Sequence, residues 1–184
     1  MTSKLSILGI AGSLREGSYN RALLQVARES VPARVRLDIF DLSGIPPFNQ
    51  EREKEPVERV REFKAAIRAA DAILIATPEY NYSMPGVLKN ALDSASRPYG
   101  DNALDGKPAA IMGASIGMFG TARAQHHLRQ CCVNLNMYLL NRPEVMVPFA
   151  QDKFDEKGRL TDQTTREKIA ELVAALAIWT QRFK

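Results

Sequence analysis

The segment Gly12-Ser13-Leu14-Arg15-Glu16-Gly17-Ser18-Tyr19-Asn20 gathers two serine hydroxyls, an amide and a guanidinium into one short stretch. It follows the apolar run Leu5 to Ile10 and precedes the helical spacing Ala22, Leu23, Val26 and Ala27. A loop between a strand and a helix N-terminus offers free backbone N–H groups and the positive end of the helix dipole. Arginine adds a planar fork that matches phosphate oxygens. The pattern therefore points to a phosphate cradle. The plainer alternative is a polar turn with Asn20 as a helix cap.

Two rival phosphate motifs fail on the residues. Gly12 and Gly17 have the spacing of G-x-x-x-x-G-K-[ST], but Ser18 stands where the lysine should be. The dinucleotide fingerprint G-x-G-x-x-G is absent as well. What remains suits one terminal phosphomonoester, as in FMN. A second candidate loop is Thr77-Pro78-Glu79-Tyr80-Asn81-Tyr82-Ser83-Met84-Pro85-Gly86. Its aromatics can flank a flat ring, and its amides and backbone can bond a pyrimidine edge. Read blandly, it is a proline-rich turn. A third, from Gly113 to Gly120 with Ser115 and Gly117, permits close approach of backbone to a ligand. Their convergence carries more weight than any one alone.

The elements that must position these loops can be read from periodicity. Leu5–Ile10, Ala72–Ala76 and Ala109–Ala114 read as strands buried on both faces. Val35, Leu37 and Ile39 alternate with Arg36 and Asp38, as in a half-exposed strand. Met137 to Val147 is strand-like but broken by Pro143. Helical faces follow: one opened by Pro56, one from about Gly86, one marked by Ala124, Leu128, Cys131 and Leu135, and one from Ile169 to Trp179. Five strands alternating with five helices predict a parallel sheet covered on both faces. The alternating second strand and the proline-bearing fifth belong at the edges. The expected fold class is therefore α/β, a flavodoxin-like three-layer sandwich with a five-stranded parallel sheet in order 2-1-3-4-5. Its ligand crevice lies beyond the strand C-termini, between the first and third strands.

Composition narrows the function classes. The chain has 184 residues, 45% hydrophobic and 25% charged, as expected of one globular domain over 1–184. Its net charge of +4 comes without a Lys/Arg block or zinc-finger spacing, so nucleic acid is not an expected partner. Cys131 and Cys132 are adjacent and offer no disulfide framework, which fits a reducing cytoplasm. His127 and Cys131 could share a helix face, but two groups fall short of a metal site, and none is expected. No targeting segment and no membrane span are read from the chain.

Gly12-Ser13-Leu14-Arg15-x-x-Ser18-x-Asn20, together with Pro78-Glu79-Tyr80-Asn81-x-Ser83-x-Pro85-Gly86-x-Leu88-Lys89-Asn90-Ala91-x-Asp93, resembles the NAD(P)H-dependent FMN reductase family, and most of all its chromate/quinone reductase branch. The resemblance runs on through Arg123, His127-Leu128-Arg129 and Arg142-Pro143-Glu144. It implies a flavodoxin-like homodimer or homotetramer that binds FMN non-covalently beside the dimer interface. Ser13, Arg15, Ser18 and Asn20 would hold the phosphate, with the Leu14 and Tyr19 backbone nearby. Pro78, Glu79, Tyr80 and Asn81 would line the isoalloxazine ring, with Ser115 and Gly117 on its other flank. Arg123 and Glu144 match polar positions of the tetramer contact, while His126 stands where close relatives usually carry Tyr. Ser94 replaces a common aromatic, which would widen the pocket rim. Asp93, His126 and His127 are read as structural.

The activity implied is that of a flavoenzyme taking hydride from NAD(P)H and passing two electrons to quinones, chromate, azo or nitro compounds. One ring face serving both substrates implies ping-pong kinetics, and no side chain is named as a catalytic acid or base. The alternatives are a reductase of free FMN, an electron-carrying flavodoxin and a phospho-receiver. The carrier is disfavoured by the +4 charge. The receiver is disfavoured by Gly12-Ser13, where clustered Asp would be needed.

Overall fold

The computed structural model describes residues 4–184. In chain order its elements are β1 (Leu5–Ala11), α1 (Tyr19–Glu29), β2 (Val35–Phe40), α2 (Glu58–Ala69), β3 (Ala72–Ala76), α3 (Gly86–Ala95), β4 (Pro108–Ala114), α4 (Ala122–Asn134), β5 (Tyr138–Leu139), β6 (Val145–Val147) and α5 (Gln163–Gln181). The strands are all parallel, in order β2-β1-β3-β4-β5, with β6 also paired to β4. Every residue of β3 and β4 is buried, whereas β2 alternates over its first four positions. Central strands need apolar side chains on both faces, and an edge strand does not. Helices α1 and α5 pack their Leu23, Leu24, Ile169 and Leu176 on one face of the sheet. Phe63 and Ile67 of α2, Leu88 and Leu92 of α3 and Leu128 of α4 cover the other. This is the expected flavodoxin-like sandwich.

Three local expectations change. The fifth strand is two: β5 pairs with the start of β4 at Pro108 and Ala109, and β6 with its end at Met112 to Ala114. Pro143 lies between them and has no N–H to give to a ladder, so the sheet has six strands. Helix α2 begins at Glu58, past Pro56, with Val57 in extended conformation before it. Ser18, not Asn20, caps α1: its Oγ accepts the Arg21 N–H at 3.5 Å.

The β2–α2 connection runs as a strap along α3. The Asn90 amide fastens it, accepting the Phe48 N–H at 2.7 Å and donating to Pro46 O at 2.8 Å. Further on, Glu53 pairs with Arg97 at 2.7 Å, both largely buried. Lys64, nearly buried, bonds Asp101 and the Arg97 carbonyl, tying α2 to the end of α3. Beneath the strap lies a cavity of about 750 Å3, lined by Pro46, Phe48, Val57, Val60 and Ser94 among others. Ser94 is eight residues along α3 from Gly86, roughly 12 Å down the helix. It therefore widens this cavity and not the rim of the loop crevice.

Candidate functional site

Loops β1–α1, β3–α3 and β4–α4 leave the same end of the sheet from neighbouring strands. The order reverses between β1 and β3, which opens the crevice expected of this topology. Gly12 makes the first two loops meet. Its N–H donates to Ala76 O at 2.8 Å, and a Cβ there would lie 3.2 Å from Leu88 and 3.4 Å from Pro78.

In the first loop Ser13 and Ser18 are buried, while Leu14, Arg15, Glu16 and Gly17 are exposed. Ser13 Oγ accepts the Arg15 N–H at 3.4 Å, and Ser18 N–H donates to Arg15 O at 3.2 Å, so the loop curls back on itself. The backbone N–H groups of Ser13, Leu14, Glu16 and Gly17 find no partner among the described residues. Arg15 has only the Tyr19 ring beside it, 5.5 Å away, and no carboxylate partner among the described residues. Unpaired N–H donors and an unpaired guanidinium at a helix N-terminus form a donor set that fits a phosphate. Asn20 serves this loop differently from the expectation. It is buried, its Nδ2 donates to Ala114 O and its Oδ1 accepts the Ala114 N–H, both at 2.9 Å. Its amide fastens α1 to the end of β4, leaving one N–H of the two for anything else.

In the second loop Tyr80 and Ser83 exchange backbone hydrogen bonds of 2.9 and 3.0 Å. Asn81 and Tyr82 between them have φ of 50° and 66°. That is the two-residue turn that matches strand twist, bought here without glycine. Pro78 is buried, and Tyr80, Asn81 and Tyr82 are exposed on the rim. Glu79 departs from its expected place. One carboxylate oxygen accepts the N–H groups of Arg123 and Ala124 at 2.9 and 3.1 Å, and the other accepts Nη1 of Arg123 at 3.0 Å. The side chain therefore caps α4, so only the Glu79 backbone is left to face the crevice. The Arg123 guanidinium lies 3.8 Å from the Tyr82 ring centroid and 4.4 Å from that of Phe119. It bolts the second loop to the third. Glu144, the other position matched to the tetramer contact, is exposed.

The third loop holds Ser115, half-buried, and Gly117, exposed, with Ser115 Oγ accepting the Gly117 N–H at 3.2 Å. Its glycines serve two purposes. A Cβ at Gly113 would fall 2.2 Å from Thr77 O, so this glycine permits strand packing. At Gly117 a Cβ would meet only Ser115 Oγ at 3.7 Å, which leaves that position open to a ligand. The structure adds a neighbour that sequence reasoning missed, the segment after β6. Phe149 and Ala150 donate backbone N–H groups to Gly117 O and Ser115 O at 3.4 and 3.1 Å. Only the split of the last strand, signalled by Pro143, could have pointed to it.

His126 and His127 lie on α4 and are exposed. His127 Nδ1 is 3.0 Å from Ser83 Oγ, a further tie between α4 and the second loop. Cys131 is half-buried, and burial pushes the Cys132 thiol up to about 12. Asp93 pairs with Lys89 one turn away on α3, at 2.6 Å, a surface contact.

Residues 5–152 match the family model described as NADPH-dependent FMN reductase. The chain is 53% identical to an NAD(P)H-dependent FMN reductase of Pseudomonas aeruginosa, covering 100% of both chains. It is 41% identical to a 2-hydroxy-1,4-benzoquinone reductase of a Burkholderia species, covering 96% of this chain and 97% of that one. Among solved structures, the flavoenzyme NAD(P)H:(acceptor) oxidoreductase of Paracoccus denitrificans superposes with a TM-score of 0.88 at 32% identity, over 97% of this chain and 98% of that one.

Proposed function

This chain belongs to the NADPH-dependent FMN reductase family, and we propose that it is an FMN-containing oxidoreductase that moves two electrons from NAD(P)H to quinones and related acceptors. The carrying observation is the first loop: N–H groups without a partner among the described residues and the uncommitted Arg15 stand at the start of α1, in a loop whose Gly12 meets Ala76 and Pro78. FMN, when bound, would supply the two-electron chemistry. The chain's own residues hold and shape the site. Arg15 and the N–H groups of Ser13, Leu14 and Gly17 would neutralise the phosphate, Ser18 and Tyr19 would fix the start of α1 beneath it, and Asn20 would hold α1 to β4. The backbone of Pro78 to Asn81 would border the ring, with Ser115 and Gly117 on the opposite flank. The overall reaction balances as NADPH plus a proton plus a quinone giving NADP+ and a hydroquinone.

One crevice serves both substrates in this reading. NAD(P)H and the acceptor take turns above it, which gives ping-pong kinetics. Double-reciprocal lines at several quinone levels are expected to be parallel, and intersecting lines would rule out the shared site. The reading covers the whole of 1–184 as one cytoplasmic unit, with chromate, azo and nitro compounds as further acceptors. It includes a homodimer or homotetramer, supported by the exposed apolar rim of Tyr80, Tyr82, Met118 and Phe119. The test of the whole is the visible absorption spectrum of the purified protein. A flavin spectrum that NADPH bleaches and a quinone restores is expected. A colourless protein that also fails to take up added FMN would sink the proposal.

A further inference from the structure

Phe149 sits in the left-handed region, with φ 48° and ψ 48°. A bulky side chain there is a backbone outlier, which glycine would relieve. Such strain persists only where the surroundings over-determine it. Here they do: Ser115 N–H donates to Val147 O at 3.0 Å, Phe149 N–H to Gly117 O at 3.4 Å, Ala150 N–H to Ser115 O at 3.1 Å and Asp152 N–H to Phe149 O at 3.0 Å. These bonds hold the residue against the third loop from both sides. Burial does not account for the ring, since Phe149 is 46% exposed. An aromatic side chain is thus kept in a conformation that disfavours it, half in solvent, on the backbone that supports Ser115 and Gly117.

We infer that Phe149 is a specificity-determining residue for the electron acceptor, an aromatic wall beside the Ser115–Gly117 flank that favours flat ring acceptors over compact inorganic ones. This rests on the FMN oxidoreductase reading above. A quinone takes up two electrons and two protons and leaves as a hydroquinone, and its ring can stack against Phe149 on the way. Two ferricyanide ions take one electron each and offer no ring to hold.

The test compares 2-methyl-1,4-naphthoquinone with ferricyanide on the flavin-loaded wild type, Phe149→Gly and Phe149→Tyr. Glycine adopts the left-handed conformation freely, so Phe149→Gly keeps the turn and removes only the ring. We expect a KM for the naphthoquinone about 3–10-fold higher in Phe149→Gly, the size of one lost aromatic contact. Ferricyanide turnover at saturating NADPH should stay within about twofold, and Phe149→Tyr should restore the naphthoquinone KM. Equal losses for both acceptors, an unchanged naphthoquinone KM, or a changed oligomeric state in light scattering would overturn the assignment. A wild type that holds no flavin would overturn it together with the function proposed above. A flavin-loaded wild type with an indifferent Phe149→Gly would overturn this inference alone.

Discussion

Arg15 and Arg123 stand near one crevice with opposite commitments. The first is exposed, with only the Tyr19 ring beside it among the described residues. The second is bonded to Glu79 and stacked between Tyr82 and Phe119. An uncommitted guanidinium is available to a ligand, so Arg15→Ala is expected to weaken FMN binding by about 1.5–3 kcal/mol, as for other charge-assisted bonds. Titration of the apoprotein with FMN, followed by flavin fluorescence, measures it, and unchanged affinity would move the phosphate elsewhere. Stability should respond to the committed pair instead. Glu79→Ala removes the acceptor for two N–H groups at the start of α4 and is expected to cost about 0.5–2 kcal/mol, the range for a lost helix cap. Urea unfolding would show it, with Glu79→Gln losing less because its amide oxygen still accepts.

The elements meet at points where a single atom decides the packing. Asn20 joins α1 to β4 through both Ala114 backbone groups. Asn20→Ala would bury that N–H and C=O without partners, an expected loss of about 1–3 kcal/mol for a group so stranded, read as a lower urea midpoint. Gly113 lies where β4 passes Thr77 and Thr121, with a Cβ at 2.2 Å from Thr77 O and 2.4 Å from Thr121 Oγ1. The nearest obstacle is backbone, so Gly113→Ala must push β3 and β4 apart. The expected cost lies toward the upper end of the ~1–3 kcal/mol typical of overpacking, seen as a lower Tm. A wild-type Tm would mean the strands yield freely. At this scale the sequence was largely legible. Continuous apolar runs marked β1, β3 and β4, and alternation marked β2, because burial on two faces or one writes directly into residue type. The split of the last strand was less so, since Pro143 announced a break without saying that pairing resumes at Val145.

Across the whole molecule, carboxylates share a direction. Asp41 is held below its ordinary range first by the Ser43 backbone N–H, Asp101 by the Lys64 ammonium, and Asp162 by the Thr165 hydroxyl and N–H at the start of α5. A carboxylate whose folded pKa lies below its unfolded value stabilises the fold above about pH 3.9. That contribution is lost as pH falls through the folded value. Urea stability is therefore expected to show no loss from these groups between about pH 5 and 7 and to drop below about pH 4. Asp162→Asn should make the drop shallower, and an equally steep drop would exclude Asp162 as a contributor. The exposed apolar rim also sets an expectation for assembly. Light scattering at micromolar concentration should give a dimer or tetramer, and a fully active monomer would remove the rim from any interface.

The sequence by itself determined the sheet order, the positions of the loops at its C-terminal end and the donor-rich character of the first loop. These follow from local composition and periodicity, which need no partner to be read. Only the tertiary structure decided where individual side chains spend their hydrogen bonds. Asn20 and Glu79 were expected to face the ligand, yet Asn20 is fastened to Ala114 and Glu79 to the start of α4. Ser94 opens a cavity under the strap, and Phe149 joins the third loop. An amide or carboxylate can serve a ligand or the nearest unpaired backbone group equally well. The choice is made by groups far away in the chain, 94 positions off for Asn20 and 44 for Glu79, that only folding brings within reach.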